Sequence, residues 1–116
     1  MVVDDAANTR RFFTQLLEEE GHEVVSAANG EEAVRRFRES PCQIVFMDIL
    51  MPEKDGLAAT REILGMDPEV RIVAMTGGGE YLNQDVLTWA KVLGAVHTLM
   101  KPVQVQDILD TLELLL

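Results

Sequence analysis

The sequence predicts an α/β domain: a doubly wound, five-stranded parallel sheet with helices on both faces. Short apolar runs alternate with amphipathic stretches from end to end, the pattern of strands alternating with helices. One run, Cys-Gln-Ile-Val-Phe-Met at 42–47, is nearly continuous apolar, as expected of a strand covered on both faces. No repeat, linker or low-complexity stretch interrupts the 116 residues, so the reading is a single domain over 1–116.

Met1-Val2-Val3 reads as the end of a first strand. It is too short for a central strand, so a trimmed N-terminus is expected; together with the abrupt Leu114-Leu115-Leu116 ending this favours a domain cut from a longer protein over a stand-alone one. Residues 8–20 form a helix with Phe13, Leu16 and Leu17 on one face and Gly21 as its stop. Glu23 to Ala27 is a second strand. Glu31 to Glu39 is helical, with Ala33, Val34 and Phe37 inward and Pro41 just past the end. After the 42–47 strand comes a loop carrying Pro52 and Asp55-Gly56. Leu57 to Leu64 is a third helix and Arg71 to Met75 a fourth strand. Gly77-Gly78-Gly79 opens a loop before a helix over Tyr81 to Leu93, with Leu82, Val86, Ala90 and Leu93 on its apolar face. Val96 to Met100 is the fifth strand. Val103 to Leu116 is the last helix, with Val105, Ile108, Leu109, Leu112 and Leu115 at helical spacing.

Composition narrows the function. Apolar residues make up 47% and charged residues 26%, ordinary for a globular domain. No apolar run reaches the roughly 18 residues of a membrane span, and the N-terminus lacks the regions of a signal peptide. The single cysteine, Cys42, excludes an internal disulfide and reads as buried and inert. A cytoplasmic setting is expected, with no membrane partner. The net charge of −10 repels nucleic-acid phosphates, so the domain is not expected to bind nucleic acid directly.

In a doubly wound sheet, ligands bind beyond the C-terminal ends of the strands, where strand order reverses. The residues at those ends here are Asp4 and Asp5, then Asp48, Thr76 and Lys101 followed by Pro102. Each has an ordinary explanation by itself: a helix cap for Asp4 or Asp5, a turn residue for Thr76, a strand exit for Lys-Pro. Their succession at consecutive strand ends does not. Three adjacent carboxylates repel one another, and a hard divalent cation relieves that. Mg²⁺ takes oxygen ligands and needs only one or two carboxylates plus phosphate oxygens. One carboxylate is then free to act as a nucleophile, and carboxylates do form aspartyl phosphates. Lys101 offers a point charge and Thr76 a hydroxyl. The backbone N–H groups of Leu50 and Gly77 complete a phosphoryl cradle.

The strings Val-Val-Asp4-Asp5, Met47-Asp48-Ile49-Leu50-Met51-Pro52-Glu53-Lys54-Asp55-Gly56, Met75-Thr76-Gly77, and Gly94-Ala95 leading to Lys101-Pro102 resemble the receiver domain of two-component response regulators over the whole chain. The resemblance implies a (βα)5, flavodoxin-like receiver fold and a signalling switch rather than an enzyme with external substrates. It implies that Asp48 accepts a phosphoryl group from a sensor histidine kinase or a histidine phosphotransfer protein. Asp5 would bind Mg²⁺ directly and Asp4 partly through water, with Asp48 and the Leu50 carbonyl as further ligands. Lys101 would bind the phosphoryl group and Thr76 would swing toward it.

Three positions depart from the family pattern. Thr98, preceded by His97, stands where the family usually has an aromatic switch residue three positions before the lysine. His97 has two readings, a substitute switch or an ordinary edge-strand histidine, of which the second is preferred; the sequence leaves open whether His97 or Thr98 replaces the aromatic switch. The stretch from Thr76 to Lys101 is a few residues longer than usual. The last helix carries Asp107, Asp110 and Glu113 and no basic residue, against the complementary-charge dimer of many transcriptional regulators.

Rival readings fit less well. An aspartyl phosphohydrolase generally places a second acid two residues after its nucleophile, where this chain has Leu50. A flavin or nucleotide module would need a phosphate-holding first loop, not Asp4-Asp5-Ala6-Ala7. A docking receiver without phosphorylation would often lack one of the five site residues. The output partner, the cognate kinase and the oligomeric state are not written in the sequence.

Overall fold

The computed structural model describes residues 1–49, 56–77 and 88–116. Five strands, β1 (Val2–Val3), β2 (Ser26–Ala27), β3 (Ile44–Asp48), β4 (Arg71–Thr76) and β5 (His97–Met100), form one sheet in the order β2-β1-β3-β4-β5. Every pairing is parallel. Helices α1 (Ala7–Glu19), α2 (Gly30–Glu39), α3 (Gly56–Met66), α4 (helical residues 88–93) and α5 (Val105–Leu115) separate and follow the strands. The chain goes from β1 outward to β2, then back across β1 to β3, so the order reverses between β1 and β3.

All five residues of β3 are buried, which is why its sequence does not alternate. The alternation lies in where they go. Val45 and Met47 join the core with Phe37 of α2, Ile63 of α3 and Ala90 of α4. Ile44 and Phe46 join the opposite core with Phe13 of α1 and Ile108 of α5. The rings of Phe13 and Phe46 meet with centroids 5.2 Å apart, a contact that adds about 0.5–1.5 kcal/mol to their area burial. Phe13, Leu16 and Leu17 are buried on α1, and Ala33, Val34 and Phe37 on α2. Gly21 stops α1 with φ +88°, a left-handed backbone that favours glycine.

Several expectations are corrected. The second strand is Ser26–Ala27, not Glu23–Ala27, because β1 offers only Val2 and Val3 for it to pair with. The third strand runs Ile44–Asp48, placing Asp48 inside it, and the fourth ends on Thr76. The last helix starts at Val105, after Asp107 accepts the Gln104 backbone N–H at 2.9 Å. Val105 is therefore exposed, as is Leu93, although periodicity put both on apolar faces. Cys42 is half-buried rather than buried, and its thiol donates to the Ile44 carbonyl at 3.4 Å. His97 lies on edge strand β5, as read. Of the helix expected over Tyr81 to Leu93, only residues 88–93 are described, so Leu82 and Val86 lie outside the described residues.

Gly56 sets how closely α3 approaches β3. Its N–H donates to the Ile49 carbonyl at 2.9 Å. A Cβ there would lie 2.2 Å from the Asp48 carbonyl oxygen and 2.6 Å from the Ile49 Cα. Gly65 near the end of the same helix has nothing within 4 Å of such a Cβ. Gly56→Ala should therefore lose about 1–3 kcal/mol to overpacking, while Gly65→Ala should gain about 0.5–1 kcal/mol. Urea unfolding of both variants checks this, and similar effects at the two sites would contradict it.

Candidate functional site

The C-terminal rim of the sheet collects the polar residues. Asp4 follows β1 directly and is fully buried. Its N–H donates to the Ala27 carbonyl at 3.1 Å, and its Oδ1 accepts the Ala6 N–H at 2.9 Å. The side chain thus closes the turn ahead of α1. It does not cap the helix, whose N-cap is Ala6 with no side-chain bond, so neither Asp4 nor Asp5 has the capping role the sequence allowed. Asp5 is exposed at the mouth. Asp48 ends β3 and is only 3% exposed. Carboxylate oxygens of Asp4, Asp5 and Asp48 lie within 4.8 Å of one another.

Lys101 reaches this cluster from the far side of the sheet. Its backbone N–H donates to the Thr76 carbonyl at 2.8 Å, tying the ends of β4 and β5 together. Its Nζ stands 2.5 Å from Asp4 Oδ2 and 3.2 Å from Asp48 Oδ2. Gly77 lets the lysine stem pass: a Cβ there would lie 2.8 Å from the Lys101 Cβ. The Lys101–Pro102 peptide is cis. Thr76, the last residue of β4, is fully buried. Thr98 sits within β5, half-buried and opposite Ala74, inside the sheet rather than on its rim. Leu50 lies outside the described residues.

One ammonium among three carboxylates leaves an excess of negative charge. Burial pushes the Asp48 carboxyl up from 3.8 to about 6; Lys101 pulls it back, while Asp4 and Asp5 add to the rise. Burial alone would lower the Lys101 ammonium, but the hydrogen bond to Asp4 and the attraction of Asp48 and Asp4 outweigh it, so its pKa is raised. The donor set suits a hard cation: carboxylate oxygens only, with neither thiolate nor imidazole among them. The residues present therefore fit Mg²⁺. Sequence reasoning did not find Arg10 of α1, whose Nη1 donates to the Asp4 carbonyl at 2.8 Å. An arginine on a surface helix gives no signal of such a bond.

Comparison with known proteins gives a consistent picture. The family described as "Response regulator receiver domain" matches residues 1–113. The chain is 36% identical to the chemotaxis protein CheY of Bacillus subtilis over 113 residues, covering 97% of this chain and 92% of that one. The crystal structure of the receiver domain of NtrX from Brucella abortus superposes with a TM-score of 0.87 at 30% identity, covering 97% and 92% of the two chains. A CheX–CheY–BeF3–Mg²⁺ complex from Borrelia burgdorferi matches with a TM-score of 0.81 at 31% identity, covering 96% of this chain and 83% of that one.

The raised Asp48 carboxyl makes stability depend on pH with a definite sign. Between 3.8 and about 6 the unfolded chain ionises before the folded one, so stability falls as pH rises through that window and stays lower above it. The rise from 3.8 to about 6 amounts to roughly 3 kcal/mol at most. Asp48→Asn has no such loss. In chelator it should be more stable than the parent above pH 6, with the advantage shrinking toward pH 4. Urea melts across pH measure the gap, and a gap independent of pH would refute the assignment.

Proposed function

The chain belongs to the response regulator receiver domain family, and on that premise we propose that it is a phospho-acceptor switch. Asp48 takes a phosphoryl group from a phosphohistidine on a sensor histidine kinase or a histidine phosphotransfer protein. The observation that carries this reading is the convergence of three carboxylates and one ammonium at the reversal point of the sheet.

Each residue has a task. A carboxyl with a pKa of about 6 is mostly ionised at pH 7, so an Asp48 oxygen is available to attack phosphorus. The new P–O bond forms as the donor's P–N bond breaks, and the imidazole leaves with the electron pair and takes up a proton. Lys101 already spans Asp4 and Asp48, and it exchanges its Asp48 contact for an oxygen of the incoming group. Thr76, at the end of the neighbouring strand, offers its hydroxyl to the same group and reports its arrival. The N–H groups of Gly77 and Leu50 would serve the remaining oxygens in this reading. Asp4, Asp5, Asp48 and the Leu50 carbonyl would hold Mg²⁺, which supplies positive charge against the phosphoryl oxygens. The Borrelia burgdorferi relative, solved with BeF3 and Mg²⁺, supports the reading that the domain takes Mg²⁺.

Thr98, in the position of an aromatic switch, is too small to gate a pocket, so the response runs mainly through Thr76. The acidity of the chain disfavours direct contact with nucleic acid. Among the described residues no helix is long and apolar enough to cross a membrane. A cytoplasmic setting matches a phosphohistidine donor.

Incubation with acetyl phosphate should label Asp48 in Mg²⁺ and not in chelator, and Asp48→Asn should abolish the label while remaining folded. Intact-mass and peptide mass spectrometry decide it; a label that persists without Mg²⁺, or that sits elsewhere, overturns the proposal. Thr98→Ala should keep the phosphorylation-induced change in fluorescence of Trp89, an exposed reporter on α4. Complete loss of that change would make Thr98 a working switch residue.

A further inference from the structure

Arg10 and Arg11 stand near the N-terminal end of α1, where the helix dipole disfavours cations. No acidic residue occupies that first turn. The two arginines behave differently. Arg11 is exposed and donates to Asn8 Oδ1 within its own helix. Arg10 is half-buried and folds back out of the helix to the Asp4 carbonyl, at 2.8 Å. Helical side chains lean toward the N-terminus, so this position is aimed at the turn after β1. The helical ladder begins later, with the Ala6 carbonyl accepting the Arg10 N–H at 3.1 Å, so the Asp4 carbonyl precedes it.

The bond has a consequence for the neighbouring residue. A peptide unit is planar, so fixing the Asp4 carbonyl fixes the plane that also carries the Asp5 nitrogen. The other Asp4 atoms are already held: N–H by Ala27, Oδ1 by Ala6, Oδ2 by Lys101. Asp5 is exposed, and its direction depends on that plane. We propose that Arg10 is a positioning residue for the carboxylate site: by pinning the Asp4–Asp5 peptide plane it holds Asp5 beside Asp4 and Asp48 in the arrangement that takes Mg²⁺. This rests on the reading of the site as a Mg²⁺ site given above.

The test is calorimetric titration of the full chain with Mg²⁺ alone, comparing the parent with Arg10→Gln, Arg10→Lys and Arg11→Gln, alongside thermal melting in chelator. Removing a positive charge beside three carboxylates would by itself tighten cation binding. Releasing the peptide plane weakens it, and outer partners of metal ligands are typically worth 10- to 100-fold in affinity. Arg10→Gln, whose amide donor sits on too short a stem to reach the Asp4 carbonyl, should bind Mg²⁺ about tenfold more weakly, and Arg10→Lys, which keeps a donor at long reach, should recover to within about threefold of the parent. Arg11→Gln should show no weakening. The melting temperature of Arg10→Gln in chelator should stay close to that of Arg11→Gln, which separates positioning from general stability. Unchanged or tighter binding in Arg10→Gln overturns the role, as does equal weakening in both glutamine variants. A parent that binds no Mg²⁺ at all overturns the reading of the site and the role of Arg10 together.

Discussion

Three carboxylates held together at a reversal of strand order are the constraint on which the rest of this structure depends. Left alone they would push apart. One lysine from the far edge of the sheet bridges two of them, and the backbone of β1 and β3 keeps all three in place. The arrangement is incompletely neutralised, which is the condition that makes a protein respond to an added cation or phosphoryl group. A fully compensated cluster would have nothing to gain from either.

The surrounding fold is built to hold that unfavourable charge rigid. β3 is buried on both faces and so cannot shift sideways without breaking two cores at once. Two glycines bring backbone and side chain closer than any other residue would allow. Gly56 lets α3 press against the carbonyl of Asp48, and Gly77 lets the Lys101 stem lie across the end of β4. Close packing around the site means that a small displacement there is not absorbed locally but passed to β4, β5 and the helices beside them.

Much of this was legible in the sequence because the two strongest signals coincide. Apolar runs mark strands, and the polar residue that ends each run marks the rim, so Asp4, Asp48, Thr76 and Lys101 could be placed without coordinates. Boundaries were weaker. The length of β2 is limited by its partner β1, which a local pattern does not show. Val105 and Leu93 fit a helical stripe yet face solvent, because periodicity gives the stripe and not where it ends. Cys42 lies beside the core in sequence and only partly in it in space. Arg10 was invisible for a different reason. A cation on an amphipathic helix reads as a solvated side chain, and its bond to a carbonyl six residues back depends on how the chain enters the helix.

The pairing of Lys101 with Asp4 joins residues 97 apart in the chain, and its pairing with Asp48 joins residues 53 apart. Parallel strands meet only through long crossovers, so such contacts close large loops, whose entropy is lost before the contacts reward it. Lys101 follows β5, which among the described residues is an edge strand paired with β4. The pairing of β1 with β3 brings the carboxylates together, and the docking of β5 brings the lysine that offsets their repulsion. An offset of that kind, gained beyond the transition state, lengthens the lifetime of the folded state more than it speeds the search for it. Lys101 is for this reason a brake on unfolding, and anything else that neutralises the acidic rim in the native state acts in the same sense.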